Sequence, residues 1–192
     1  MLAAHIVISA YGFWLPNDPR GSWSQYVGSR ELFVFGPATT VTTHRSLAAR
    51  PHDRSARLAA KRSLKHPPAR MTGLQAQAAG HGFARAVREA GYVIYACAIL
   101  PDHAHLVVAR HEHPAPMVAG HLKGRATRTL RMRDLWPDDR PLWGRRSWAV
   151  FLDSPTDVTR AVRYVEQNPP RDGKPRQRWS FVTPYDFNRR RP

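Results

Sequence analysis

Tyr92 to Leu100 reads YVIYACAIL, Pro101 to Ala104 reads PDHA, and His105 to Arg110 reads HLVVAR. The first run is apolar throughout and rich in β-branched and aromatic residues, the pattern of a strand buried on both faces. Pro101 and Asp102 make a turn, and the third run is the returning strand. This stretch is therefore a β-hairpin with His103 and His105 at its turn, and the elements on either side must be placed around it.

Upstream, Thr72 can cap a helix whose third residue is Gln75, and Leu74, Ala78, Phe83, Ala86, Val87 and Ala90 recur near a 3.6-residue period until Gly91 stops it. Further upstream, Ala4 to Ala10 (AHIVISA) suits a buried strand. Tyr11 to Trp23 crowds glycine, proline and large aromatics and reads as a loop folded back on the core. Downstream, Met117 to Arg133 is helical, with Met117, Val118, Leu122, Ala126 and Leu130 inward and Lys123, Arg125, Arg128, Arg131 and Arg133 as an outward basic stripe. Ser147 to Leu152 (SWAVFL) is a further strand, and Ser154 or Thr156 starts a last helix that Pro169 and Pro170 end after Asn168. The fold class is α+β. The order is that of a ferredoxin-like β-α-β-β-α-β sheet with helices on one face, plus a C-terminal helix that carries Tyr164. Residues 1–192 form one domain, with a basic insertion around 25–70, solvated and partly flexible from Arg45 to Arg70, and a basic tail after about 173.

Lys and Arg number 30 against 14 Asp and Glu, a formal net charge of +16, which points to a polyanionic partner and first of all to nucleic acid. Cys97 is the single cysteine, so neither an intramolecular disulfide nor a cysteine-based zinc site can form, in keeping with a reducing, cytoplasmic setting. Met1 to Leu15 lacks a basic leader and reads as a first strand, not a signal peptide, and no apolar stretch is long enough for a membrane span.

In an extended chain, residues two apart point to one side, so His103 and His105 can meet one metal ion. On spacing alone, surface or capping histidines explain the pair equally well, and His111-Glu112-His113 repeats it too far along to serve the same ion. Tyr164 and Asn168 are four apart and share a helical face, with Gln167 as a competing amide. On the residues alone Tyr164 can equally be a packing tyrosine with its hydroxyl at the rim, and Asn168 a residue at a helix end.

The combination is more specific than its parts. The strand running into Leu100-Pro101-Asp102-His103-Ala104-His105-Leu106-Val107 is followed by His121-Leu122-Lys123-Gly124-Arg125, Leu142-Trp143 and Arg163-Tyr164-Val165-Glu166-Gln167-Asn168-Pro169. In that order these resemble the HUH-type single-tyrosine transposases, and within them the REP-associated tyrosine transposases. Tyr11-Gly12-Phe13-Trp14-Leu15-Pro16 and Asp18-Pro19-Arg20-Gly21 are similar to a tract of part of that family. Leu100 stands where methionine is common. Asn168 stands where insertion-sequence relatives have glutamine, as in the REP-associated branch.

The resemblance implies that His103, His105 and Asn168 bind a divalent metal, Mg²⁺ or Mn²⁺, and that Tyr164 cuts and rejoins single-stranded DNA beside hairpin-forming repeats through a 5′-phosphotyrosine. Ligand chemistry alone would also admit Zn²⁺, Co²⁺ or Ni²⁺. Lys123, Arg125 and Arg128 are candidate phosphate contacts, with solvated or core-packing roles as the alternative. A tyrosine acting within its own subunit and one acting across a homodimer both stay open. So do two other readings: a catalytically silent nucleic-acid-binding domain, and a metal-dependent phosphodiesterase that uses water.

Overall fold

A computed structural model describes residues 1–13, 15, 30–35 and 53–186. The remainder of the aromatic loop, including Trp14, Pro16, Asp18, Pro19, Arg20 and Gly21, lies outside the described residues, as do 36–52 of the basic insertion and the end of the tail. In chain order the elements are β1 (Ala3–Ala10), a 3-10 helix (Arg30–Phe35), α1 (Arg54–Arg62), α2 (Gly73–Ala90), β2 (Ile94–Ile99), β3 (His103–Ala109), α3 (Ala115–Arg131), β4 (Trp143–Leu152) and α4 (Pro155–Arg171).

The four strands make one sheet in the order β2-β3-β1-β4, and every neighbouring pair is antiparallel. Alternation along each strand divides the apolar residues between two faces. Ile6 and Ile8 of β1, Cys97 and Ile99 of β2 and Leu106 and Val108 of β3 are buried against Phe83 and Ala86 of α2 and Val118, Leu122, Ala126 and Leu130 of α3. On the other face, Ala3, Ala96, Ala98 and Val107 are buried with Val158 and Val165 of α4. Two helices thus cover one face and α4 covers the opposite one. His5, Val7 and Ser9 pair with Val107, His105 and His103, so the histidines share the face of α4.

Helix α2 forms as its sequence dictates: Thr72 accepts from Gln75 N, the Gln75 side chain accepts from Thr72 N, and Gly91 ends the helix at φ 68° in the left-handed region. Its closest packing is made by glycine. A Cβ at Gly82 would lie 2.5 Å from the Ala126 Cα and 2.6 Å from the Arg125 carbonyl oxygen, both backbone atoms of α3 that no rotamer change can move. Gly82→Ala is therefore expected to destabilise the protein by roughly 1–3 kcal/mol, although alanine favours the helix by about 1 kcal/mol. Gly120→Ala, where a Cβ meets nothing within 4 Å, should stabilise slightly. Thermal unfolding of the two variants should shift in opposite directions.

Several elements differ from the pattern reading: β4 begins at Trp143, four residues before the expected Ser147, and a 3-10 helix forms at Arg30–Phe35. Residues 54–62, read as solvated insertion, form α1, capped by Asp53 accepting from Ala56 N and burying Ala60 beside Leu15 and Leu32. One small buried alanine among charged residues leaves too weak an apolar stripe to see in the sequence. Helix α4 does not stop at Asn168 but runs through both prolines to Arg171. Proline has a helical φ, and both prolines fall in the last turn, which is closed by Asp172 N donating to Asn168 O and Lys174 N to Pro169 O. The tail is docked along the outer edge of β2. Gln177 accepts from Ile99 N and donates to Ile99 O, and Val182 bridges to Ile94, so part of that edge is covered.

Candidate active site

His103 and His105 open β3, and alternation aims both away from the α2/α3 core. Their rings lie 4.7 Å apart between centroids, nearly perpendicular. His103 is half-buried at the end of the strand, its Nδ1 2.8 Å from Asp102 Oδ1 and its ring 4.8 Å from that of Phe13. His105 is buried, and its Nδ1 lies 3.1 Å from His5 Nε2. Each imidazole is therefore held through Nδ1, which leaves Nε2 as the nitrogen to offer a ligand.

Helix α4 brings Tyr164 onto this pair. Its apolar residues Val158, Val165, Ala161 and Val162 lie on the sheet, and this fixes the rotation of the helix. The Tyr164 ring sits edge-on to His105 at 5.5 Å and to His5 at 5.7 Å, while the residue is 43% exposed. The phenol is packed against the histidines and open to solvent at once. Arg171 lies over the same ring at 6.0 Å.

Asn168, one turn beyond Tyr164, is half-buried, and its Nδ2 is buried with no hydrogen-bond partner among the described residues. Gln167 is exposed and accepts from Arg171. The structure thus brings His103 and Tyr164 of one chain each into ring contact with His105, and Asn168 follows Tyr164 by one turn on α4. Among the described residues no group of three or more His, Cys, Asp or Glu is arranged to hold a metal ion.

Burial sets the protonation here. It pulls His5 down to about 4. It also pulls His105 well below the usual imidazole range, and the charges His103 and His5 would carry lower it further. Both rings are neutral at pH 7, as a metal-binding imidazole must be. A His5 that titrates near 4 when folded and near 6.5 when unfolded takes up its proton more readily in the unfolded chain. Stability of the metal-free protein is then complete above about pH 6.5 and falls as the pH drops toward 4, by on the order of 3 kcal/mol. Urea unfolding at pH 7 and pH 4.5 should show this loss, and His5→Phe should make it shallower.

The basic candidates on α3 lie elsewhere. That helix packs on the face of the sheet opposite the histidines. Lys123 Nζ donates to the carbonyls of Gly144 and Arg145 at 3.0 and 3.2 Å, and burial lowers its pKa. Arg125 pairs with Glu89 at 2.6 Å. Arg128 is exposed and, with Lys123, Thr127, Arg131 and Met132, lines an open cleft of about 630 Å³. The second His-x-His pair is also apart, at the far end of β3. Tyr92 Oη contacts His113 Nδ1 at 3.1 Å and His121 Nδ1 at 3.3 Å, and His111 Nε2 meets the Ala90 carbonyl oxygen.

Pattern reading missed His5 and gave Asp102 no role of its own. The one available signal for His5 was its place as the single ionisable residue of an otherwise apolar strand. No family model and no curated protein matches this chain. Among solved structures, that of a REP-associated tyrosine transposase bound to a REP hairpin is similar, with a TM-score of 0.48 and 13% identity over 90% of this chain and 68% of that one. A likeness of that degree assigns no role to any residue. No described helix is long and apolar enough to cross a membrane.

Proposed function

We propose that this chain cuts and rejoins single-stranded DNA beside hairpins, with Tyr164 as nucleophile and a divalent ion, Mg²⁺ or Mn²⁺, at His103 and His105. In this reading the sheet is ferredoxin-like, and α4 is the added helix that delivers the tyrosine. The observation that carries the reading is the meeting of Tyr164 with His105 on one sheet face, within one chain, at a solvent-open position. The order of sequence motifs, Pro-Asp-His-Ala-His before Arg-Tyr-Val-Glu-Gln-Asn, supports it independently.

The residues fit a divalent ion. Two imidazoles are held by their Nδ1 atoms and Asn168 follows Tyr164 by one turn on the same helix, whereas the Gln167 oxygen is engaged by Arg171. His103, His105 and Asn168 would hold the ion, which when bound supplies Lewis-acid stabilisation of charge developing on a phosphate. The Tyr164 hydroxyl gives up its proton to solvent and its oxygen attacks phosphorus in line, the bond to the 3′-oxygen breaks, and that oxygen takes a proton from solvent and leaves as a 3′-hydroxyl. The product is a 5′-phosphotyrosine. Attack by a 3′-hydroxyl reverses these bonds and frees Tyr164, so rejoining needs no external energy source.

The test is incubation with end-labelled single-stranded hairpins and Mn²⁺, followed by denaturing gels. The readout is cleavage and not affinity, because the net charge of +16 gives duplex binding at low salt without specificity; cleavage should require a single-stranded tract. Efficient cutting of a fully paired duplex would overturn the reading. Hairpin binding with no cleavage under any divalent ion would favour a silent binding domain. Cleavage with no protein-linked DNA would favour a hydrolytic phosphodiesterase.

A further inference from the structure

We propose that His5 is the positioning residue for the metal site, in a role that rests on the function proposed above: it fixes the tautomer and orientation of His105. His5 lies in the middle of β1, between β3 and β4 in the sheet, a rigid platform. Its Nε2 is 3.1 Å from His105 Nδ1, and the two rings stack at 5.2 Å with an interplanar angle of 30°. For His105 to bind a cation through Nε2, its Nδ1 must carry the proton and donate, and His5 Nε2 must accept. Asp102 makes the equivalent contact to His103 Nδ1 at 2.8 Å. The two histidines are thus held by different means, a carboxylate on the half-exposed one and a neutral imidazole on the buried one. A carboxylate at position 5 would bring an unpaired charge into a buried site, whereas imidazole accepts the hydrogen bond without charge.

His5 also touches the nucleophile. Its ring is edge-on to Tyr164 at 5.7 Å and to Trp148 at 6.0 Å, so the side chain that holds His105 also forms part of the wall against which the phenol packs. His5 contacts His105 and Tyr164 directly and acts on DNA only through them.

The test compares His5→Phe, His5→Gln and His5→Asn with the wild type in the full chain. Phenylalanine keeps the ring but cannot accept. Glutamine places an amide oxygen near the position of Nε2, and asparagine is one carbon too short to do so. Mn²⁺ affinity, read by calorimetry without DNA, should fall about 10- to 100-fold for Phe and Asn and stay within about threefold for Gln. Nitrogen-detected NMR of the metal-free protein should show His105 as the Nδ1–H tautomer in wild type and His5→Gln, and as a mixture in the other two. Wild-type affinity and an unchanged tautomer in His5→Phe would overturn the inference. Should that variant fail to fold, equal affinity in the Asn and Gln variants would overturn it as well. His103→Ala separates the two levels. If wild type binds no Mn²⁺, or His103→Ala binds as wild type does, the metal reading fails and this inference with it. If His103→Ala loses the ion while the His5 variants keep it, only the role of His5 fails.

Discussion

Tyr164→Phe is expected to remove the covalent protein–DNA adduct that the proposed function requires and to lower cleavage by at least about four orders of magnitude, while folding and hairpin binding persist. The substitution deletes one oxygen from a side chain that is 43% exposed and whose ring makes the packing contacts with His105 and His5. Phenylalanine keeps those contacts, so the cost in stability should stay below about 1 kcal/mol. The other described tyrosines are placed for other work. Tyr92 is buried with its hydroxyl between His113 and His121, Tyr95 packs on Tyr185, and Tyr11 packs on His66. The assay is a denaturing gel with end-labelled hairpin DNA, followed by peptide mapping of protein-linked 5′-phosphate. An adduct formed by Tyr164→Phe, or a label mapped to another tyrosine, would remove Tyr164 from the role of nucleophile.

His103→Ala should likewise abolish cleavage in Mg²⁺ or Mn²⁺ while leaving hairpin affinity within a few fold, because binding depends chiefly on phosphate contacts. The structure separates this variant from His105→Ala. His103 is half-buried at the end of β3 and can be truncated at small cost, whereas His105 is buried between His5 and Tyr164. Its removal leaves a void and unpairs His5, so His105→Ala should lose cleavage and also about 1–3 kcal/mol of stability. Cleavage rates and urea midpoints of both variants, measured with and without EDTA, read the two effects separately. Wild-type cutting in EDTA at the rate seen with Mn²⁺ would refute a metal-assisted reaction.

The amino-acid sequence by itself determined the local elements around the hairpin. Continuous apolar runs, the Thr72 and Gln75 capping box, the Gly91 stop and the Pro101-Asp102 turn act over a few residues, and each appears in the structure. It also offered His103, His105 and Tyr164 as candidates, through the order in which their motifs follow one another, since spacing alone left capping and packing roles open. Helix α1 and the persistence of α4 through Pro169 and Pro170 were not legible, because a single buried alanine and a tolerated loss of N–H groups leave almost no periodic signal. What only the tertiary structure decided is which distant residues meet. His5 and His105 are 100 positions apart, and no local rule connects them; the β1–β3 register does. Tyr164 reaches them because α4 packs on the face opposite α2 and α3, and for the same reason the basic stripe of α3 lies away from the histidines. Periodicity tells which side of an element is apolar, but not which face of the sheet that side will cover. That choice is made by burial, when Val158 and Val165 pack on the apolar sheet face that α2 and α3 leave open.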